Sequence, residues 1–270
     1  MCGKKEAVMK KKVVVILSII VLLIAANMVG FYAYADVYYK AGHDAIFASQ
    51  ISTDTVDVSK AKIGGNNALV FAPHNPNPKA GIIMYPGGKV QYEAYAPLMQ
   101  ECANRGLLCV LVDMPFNLAF FDGDEALDVI KEYPYISDWY VMGHSLGGAI
   151  AAGFVRDNYD LVKGIILLGA YSTYDLTNKN LKILSIYGSE DKVMNRDRYD
   201  STKSNLGSDL VEVVLPGGCH SYFGDYGMQE GDGNPTISRE EQMHLTADAI
   251  CDIICRKEGP GEAGRIPYDR

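Results

Sequence analysis

The chain has 270 residues, 48% apolar and 21% charged, a globular composition. Its formal net charge is −8, but residues 1–12 hold five lysines and one glutamate, so the remainder carries −12, which argues against a nucleic-acid partner. Six cysteines do not make a disulfide scaffold at this length and no Cys/His group has zinc spacing, so neither a metal nor a cofactor is expected.

Residues 13–35 contain no charge, and Val13 to Ala26 are apolar apart from Ser18. About 20 apolar residues span a bilayer core. Lys4, Lys5, Lys10, Lys11 and Lys12 precede the span, which predicts a cytoplasmic N-terminus and a body outside the cell membrane. Two readings compete, an uncleaved single-pass anchor and a signal peptide cut after Ala35. The long uncharged stretch and the aromatics Phe31, Tyr32, Tyr34, Tyr38 and Tyr39 favour the anchor. A buried core helix would leave the lysine cluster unexplained.

The expected organisation is a basic segment at 1–12, a transmembrane or signal segment at 13–35, a folded α/β body at 36–256 and a frayed tail at 257–270. After a helical stem, Ala41 to Ser49, strands are expected at Thr55–Val58, Ala68–Phe71, Gly81–Tyr85, Leu107–Asp113, Asp138–Met142, Lys163–Leu168, Leu181–Tyr187 and Leu210–Leu215. Helices are expected at Tyr92–Arg105, Asp124–Tyr133, Ser145–Asp157, Arg196–Leu206 and Arg239–Cys255, the last begun by a capping box of Ser238 and Glu241. Alternating apolar strands and helices predict an α/β fold, a mostly parallel sheet of about eight strands covered on both faces. Only Gly169 to Asn180 separates two late strands, which leaves no room for a large cap domain. Cys102 and Cys109 flank a helix-to-strand turn and would bridge only if geometry allowed; most cysteines read as buried small apolar residues.

The chemistry concentrates at Gly143-His144-Ser145-Leu146-Gly147-Gly148, between an apolar strand and a small-residue helix. A serine on so sharp a turn stands clear of the sheet, and the glycines two residues away let strand and helix approach. Serine needs a base, and the base an orienting acid. Past the strand Leu181–Tyr187 comes Gly188-Ser189-Glu190-Asp191, where Asp191 holds the favoured acid position and Glu190 is the alternative. Past Leu210–Leu215 comes His220, the one histidine of five that follows the last strand. His144 is expected to pack beside the elbow. Sites form at the carboxyl ends of parallel strands, so Ser145, Asp191 and His220 would share an edge. An oxyanion site would use the N–H of Leu146 and a second from Pro86-Gly87-Gly88, most simply Gly88. Two loops, 114–121 and 221–237, would cover the site or simply seal the fold. Phe116, Asn117 and Tyr222 are their candidate substrate-binding residues.

Tyr85-Pro86-Gly87-Gly88-Lys89-Val90, Asp113-Met114-Pro115-Phe116-Asn117-Leu118-Ala119, the Ser145 elbow and Gly217-Gly218-Cys219-His220-Ser221-Tyr222-Phe223-Gly224-Asp225-Tyr226-Gly227 together resemble the alpha/beta hydrolase fold-5 family of dienelactone-hydrolase-like enzymes. The resemblance covers residues 36–256, and the N-terminal anchor is similar too. It implies an α/β-hydrolase fold with Ser145 as nucleophile, Asp191 as acid and His220 as base. Cys219 departs from the pattern, which has Asn beside the histidine, and bears on the turn that aims it. The expected activity is hydrolysis of a small-molecule carboxylic ester through an acyl-enzyme. Acyl transfer or peptide hydrolysis with the same triad, or a non-catalytic surface protein on the same scaffold, are the alternatives.

Overall fold

A computed structural model describes residues 2–255 apart from 76, 79 and 178. The expected frayed tail at 257–270 lies outside the described residues. The chain divides into two units, Met1–Tyr38 and Tyr39–Arg270. The first is a helix, α1 (Cys2–Ala35), whose stretch Met9–Ala35 has a mean hydropathy of 2.8 and is long and apolar enough to cross a membrane.

The second unit is built on an eight-stranded sheet in the order β1-β2-β4-β3-β5-β6-β7-β8. β1 (Val56–Ile63) and β2 (Asn66–Pro73) are an antiparallel hairpin, and β2 pairs antiparallel with β4 (Leu108–Val112). The rest is parallel: β3 (Gly81–Tyr85) lies between β4 and β5 (Trp139–His144), followed by β6 (Gly164–Leu168), β7 (Lys182–Gly188) and β8 (Leu210–Leu215). The strand order turns back at β3, so the loops leaving β3 and β5 open into one crevice at the carboxyl edge, where such sheets bind ligands.

Period-two alternation sends successive side chains to opposite faces. Ile82 and Met84 join one core with Cys109, Met142 and Ile186, against α3 (Ala96–Asn104) and α7 (Arg239–Cys255). Ile83 and Tyr85 join the other with Val110, Trp139 and Leu167, against α4 (Glu125–Glu132) and α5 (Leu146–Asp157). Both faces are thus covered, which is why β3 and β4 are apolar at every position. Cys102, Cys109 and Cys219 are buried free thiols.

Several boundaries differ from expectation. β1 runs to Ile63, and Gly64 and Gly65, both at positive φ, make the two-residue turn into β2. The helix expected at Tyr92–Arg105 divides into a 3-10 turn, Tyr92–Tyr95, and α3, because Pro97 fits only the first turn of a helix. Arg196–Leu206 likewise tightens from α6 (Arg196–Thr202) into a 3-10 turn. The stem helix α2 is shorter than expected, His43–Ala48. Ser238 Oγ accepts the Glu241 N–H at 3.1 Å, so the α7 cap forms as expected.

Candidate active site

Strand β5 delivers the chain to Ser145, whose φ of 51° and ψ of −121° are strained for any residue with a Cβ. A Cβ at Gly147 would lie 2.3 Å from the Tyr85 and Pro86 carbonyl oxygens, so only glycine lets α5 start this close to β3. Ser145 stands at the N-cap of α5 but its hydroxyl does not cap the helix. Among the described residues, four of the five non-glycine residues at positive φ are Lys89, Phe116, Asn117 and Ser145. They lie on the loops after β3, β4 and β5, so backbone strain gathers at one edge of the sheet.

The loop after β7 carries Asp191 and the loop after β8 carries His220. Asp191 Oδ2 pairs with His220 Nδ1 at 2.8 Å, with both side chains buried. Oδ1 accepts the N–H groups of Val193 (2.9 Å) and Met194 (2.8 Å), which fixes the carboxylate plane. Glu190 instead turns aside, with Oε1 taking the Ser189 hydroxyl at 3.0 Å. With Nδ1 engaged by a carboxylate, the remaining imidazole nitrogen, Nε2, is buried without a hydrogen-bond partner.

Three supports of this pair have no signal in the sequence. Gly169, at φ 50°, packs under it: a Cβ there would be 2.8 Å from His220 Nδ1 and 3.1 Å from Asp191 Oδ2. Asp232 accepts from the His220 N–H at 3.2 Å and from the Ser221 N–H and hydroxyl at 2.8 and 2.6 Å. Despite partial burial, those donors hold its carboxyl below the usual range. Gln242 on α7 clamps the peptide of Cys219, accepting its N–H at 2.9 Å and donating to its carbonyl at 2.8 Å. The turn with the unexpected cysteine is therefore held from outside. Burial pushes the Cys219 thiol up to about 12, so it remains protonated.

His144 does more than pack beside the elbow. It is buried with its ring 4.5 Å from that of His220, and its Nδ1 meets Tyr95 Oη at 2.7 Å. Tyr95 Oη also accepts the Gly87 N–H at 3.0 Å. Burial lowers the His144 pKa well below the usual histidine value, and the His220 ring lowers it further against an opposing pull from the His220 backbone. His144 is thus held neutral. The chain Gly87–Tyr95–His144 ties the loop after β3 to the elbow.

That loop has one N–H between two committed ones. Gly87 donates to Tyr95, and Lys89 donates to Asn117 O at 2.8 Å, which leaves Gly88 between them. Gly88 faces Leu146: a Cβ on it would meet Leu146 Cδ2 at 2.8 Å. Phe116 and Asn117 therefore stand beside the glycine loop, whereas Tyr222 is half-buried in the 3-10 turn that follows His220.

Among known proteins, the model of the alpha/beta hydrolase family matches residues 81–244. The fold is similar to that of the Thermus thermophilus protein TT1662, with a TM-score of 0.56 and 15% identity over 75% of this chain and 99% of that one. It is also similar to a hyperthermophilic esterase from the archaeon Pyrobaculum calidifontis (TM-score 0.56, 17% identity, 78% of this chain and 87% of that one). An epoxide hydrolase from Vigna radiata is comparable in shape (TM-score 0.55, 9% identity, 75% of this chain and 99% of that one). Identities this low speak for the fold alone. No curated protein matches the sequence significantly.

Proposed function

Because the chain belongs to the alpha/beta hydrolase family, we propose that this hydrolase cleaves carboxylic esters with Ser145 as nucleophile, His220 as base and Asp191 as the orienting acid. One observation carries the reading: the buried Asp191–His220 hydrogen bond of 2.8 Å leaves Nε2 without a partner at the edge where the strained Ser145 stands. Ser145 Oγ attacks the acyl carbonyl while Nε2 takes its proton. Asp191 stabilises the imidazolium that forms, holding Nδ1–H. The N–H groups of Leu146 and Gly88 receive the oxyanion, aided by the N-terminus of α5. His220 returns the proton to the leaving alcohol, and water, activated in turn by His220, releases the acid. Esterases among the structural neighbours accord with this chemistry.

In the same reading Phe116, Asn117 and Tyr222 contact the substrate, residues 36–256 form the catalytic body and residues 13–35 anchor it, with the lysine-rich residues 1–12 in the cytoplasm. A fluorophosphonate probe should label the wild-type serine and leave Ser145→Ala unlabelled. Equal labelling of both proteins would remove Ser145 from the mechanism.

A further inference from the structure

The loops around the candidate site expose several apolar side chains. Phe120 is 72% exposed and Phe121 47%, with ring centroids 5.6 Å apart; Phe116 stacks edge-on against Phe121 at 5.3 Å. Leu146, the first residue of α5, is 38% exposed, and Met228 in the loop after His220 is 44% exposed. These residues sit on the loops leaving β4, β5 and β8, all at the carboxyl edge. Exposed apolar groups of this kind beside a site mark a ligand groove or a surface that meets a protein or a membrane.

The place where the chain enters the body lies at the same edge. Tyr39 donates its N–H to Lys89 O at 2.8 Å, accepts from Gln91 N–H at 2.9 Å, and pairs with Val90 as a parallel bridge. Its hydroxyl accepts the Glu230 N–H at 3.1 Å. Tyr39 thus joins the glycine loop on one side to the loop following His220 on the other. Only Asp36, Val37 and Tyr38 intervene between Ala35 and Tyr39. Four peptide steps reach at most about 14 Å. The apolar stretch Met9–Ala35, at 27 residues, is about 40 Å long as a helix, the thickness of a bilayer with its head groups. A tether this short, at most three residues, ends beside the glycine loop.

We propose that the enzyme hydrolyses acyl esters dissolved in the bilayer that holds its anchor, with Phe120, Phe121 and Leu146 resting among the lipid head groups and passing the acyl chain to Ser145. This rests on the ester-hydrolase reading above. The balance is ordinary hydrolysis: the acyl C–O bond breaks, the alcohol leaves with a proton, and the oxygen of water ends in the freed fatty acid. The acidic body makes no second, electrostatic attachment to anionic lipid, so the contact is apolar.

The test uses the full chain in phosphatidylcholine–phosphatidylglycerol vesicles with two fluorogenic esters, 4-methylumbelliferyl acetate in the water and 4-methylumbelliferyl oleate in the bilayer. Two variants are compared with wild type: Phe120→Ser combined with Phe121→Ser, and an insertion of 15 Gly/Ser residues between Val37 and Tyr38. The insertion adds about 20 Å of flexible reach. Removing two aromatic side chains from an apolar contact should lower the oleate-to-acetate rate ratio about tenfold or more. The insertion should lower it severalfold while the acetate rate stays at its wild-type value. Should the aromatic variant fail to fold, the insertion variant carries the test alone. An unchanged ratio in the variants that fold, with acetate still cleaved, overturns the lipid-substrate proposal and leaves the ester-hydrolase reading standing. If wild type cleaves neither ester, both fall. If the wild-type chain washes off the vesicles in high salt, the anchor and this proposal fall together.

Discussion

Gly169→Ala isolates the support beneath the Asp191–His220 pair. An alanine Cβ would lie 2.8 Å from His220 Nδ1, about 0.6 Å inside ordinary contact, and 3.1 Å from Asp191 Oδ2. The flanking atoms belong to a hydrogen bond already at 2.8 Å, so the ring and carboxylate must move together or part. Asp191 is pinned by the Val193 and Met194 N–H groups, which makes the imidazole the part that shifts. A displacement of about half an ångström at a catalytic base should cost on the order of 10- to 100-fold in kcat, with KM little changed. Alanine at φ 50° also costs the fold about 1–2 kcal/mol. Gly106→Ala separates the two effects: its φ is 89° and nothing lies within 4 Å of its Cβ, so it carries the backbone cost alone. Urea unfolding should show both variants destabilised, and ester kinetics should show only Gly169→Ala slowed. A Gly169→Ala enzyme within about threefold of wild-type kcat, or equal kinetic losses in both, would refute the argument.

Ser145→Ala should reduce ester turnover by about 10⁴- to 10⁶-fold without changing the urea midpoint, and turnover persisting in the purified variant would rule out the serine mechanism. Asp191→Asn should cost about 10⁴-fold through the wrong histidine tautomer, while Glu190→Gln, whose parent side chain turns away from His220, should be nearly silent; kinetics of the pair would expose an interchange. Stability should fall on acidification below about pH 6.5, because buried His144 stays neutral in the folded state while the unfolded chain takes up its proton there. His144→Gln should make that slope shallower in denaturation midpoints measured between pH 5 and 7, and an unaltered slope would count against the neutral buried ring. Protease added to intact cells should digest the body, and recovery of a soluble form beginning at Asp36 would show a cleaved signal segment instead.

The elbow could be read from sequence because its demands are local: a strand, a strained serine and two glycines within five positions. The Asp191 and His220 positions follow from the same logic, since each lies just past a strand end. The supports do not. Tyr95, Gly169, Asp232 and Gln242 reach the site from separate parts of the chain, and their residue types carry no periodicity or spacing that points there. Boundaries failed where polar exposed faces masked regular structure. The strand expected at Thr55–Val58 stops short of Lys60 and Lys62 because an edge strand with one exposed face carries charges that discourage pairing with other chains. The Gly64-Gly65 pair, which suits a tight hairpin turn, is the sign in the sequence that the strand continues.

Asp225 bears on how this protein can be cut. Its carbonyl accepts the Gly42 N–H at 2.7 Å, its carboxylate accepts the Ala45 N–H at 3.0 Å, and the same buried carboxylate pairs with Arg239 at the start of α7. The stem is therefore fastened to the last helix of the body, and α2 is part of the fold. Under the proposed anchoring, proteolytic shedding has a window of three residues, Asp36 to Tyr38. A cut there would leave the stem and its fastenings with the body. A cut beyond Ser49 would strip Asp225 of its backbone donors, remove the Tyr39 brace from the glycine loop, and leave a body whose candidate site has lost the fastening of one wall.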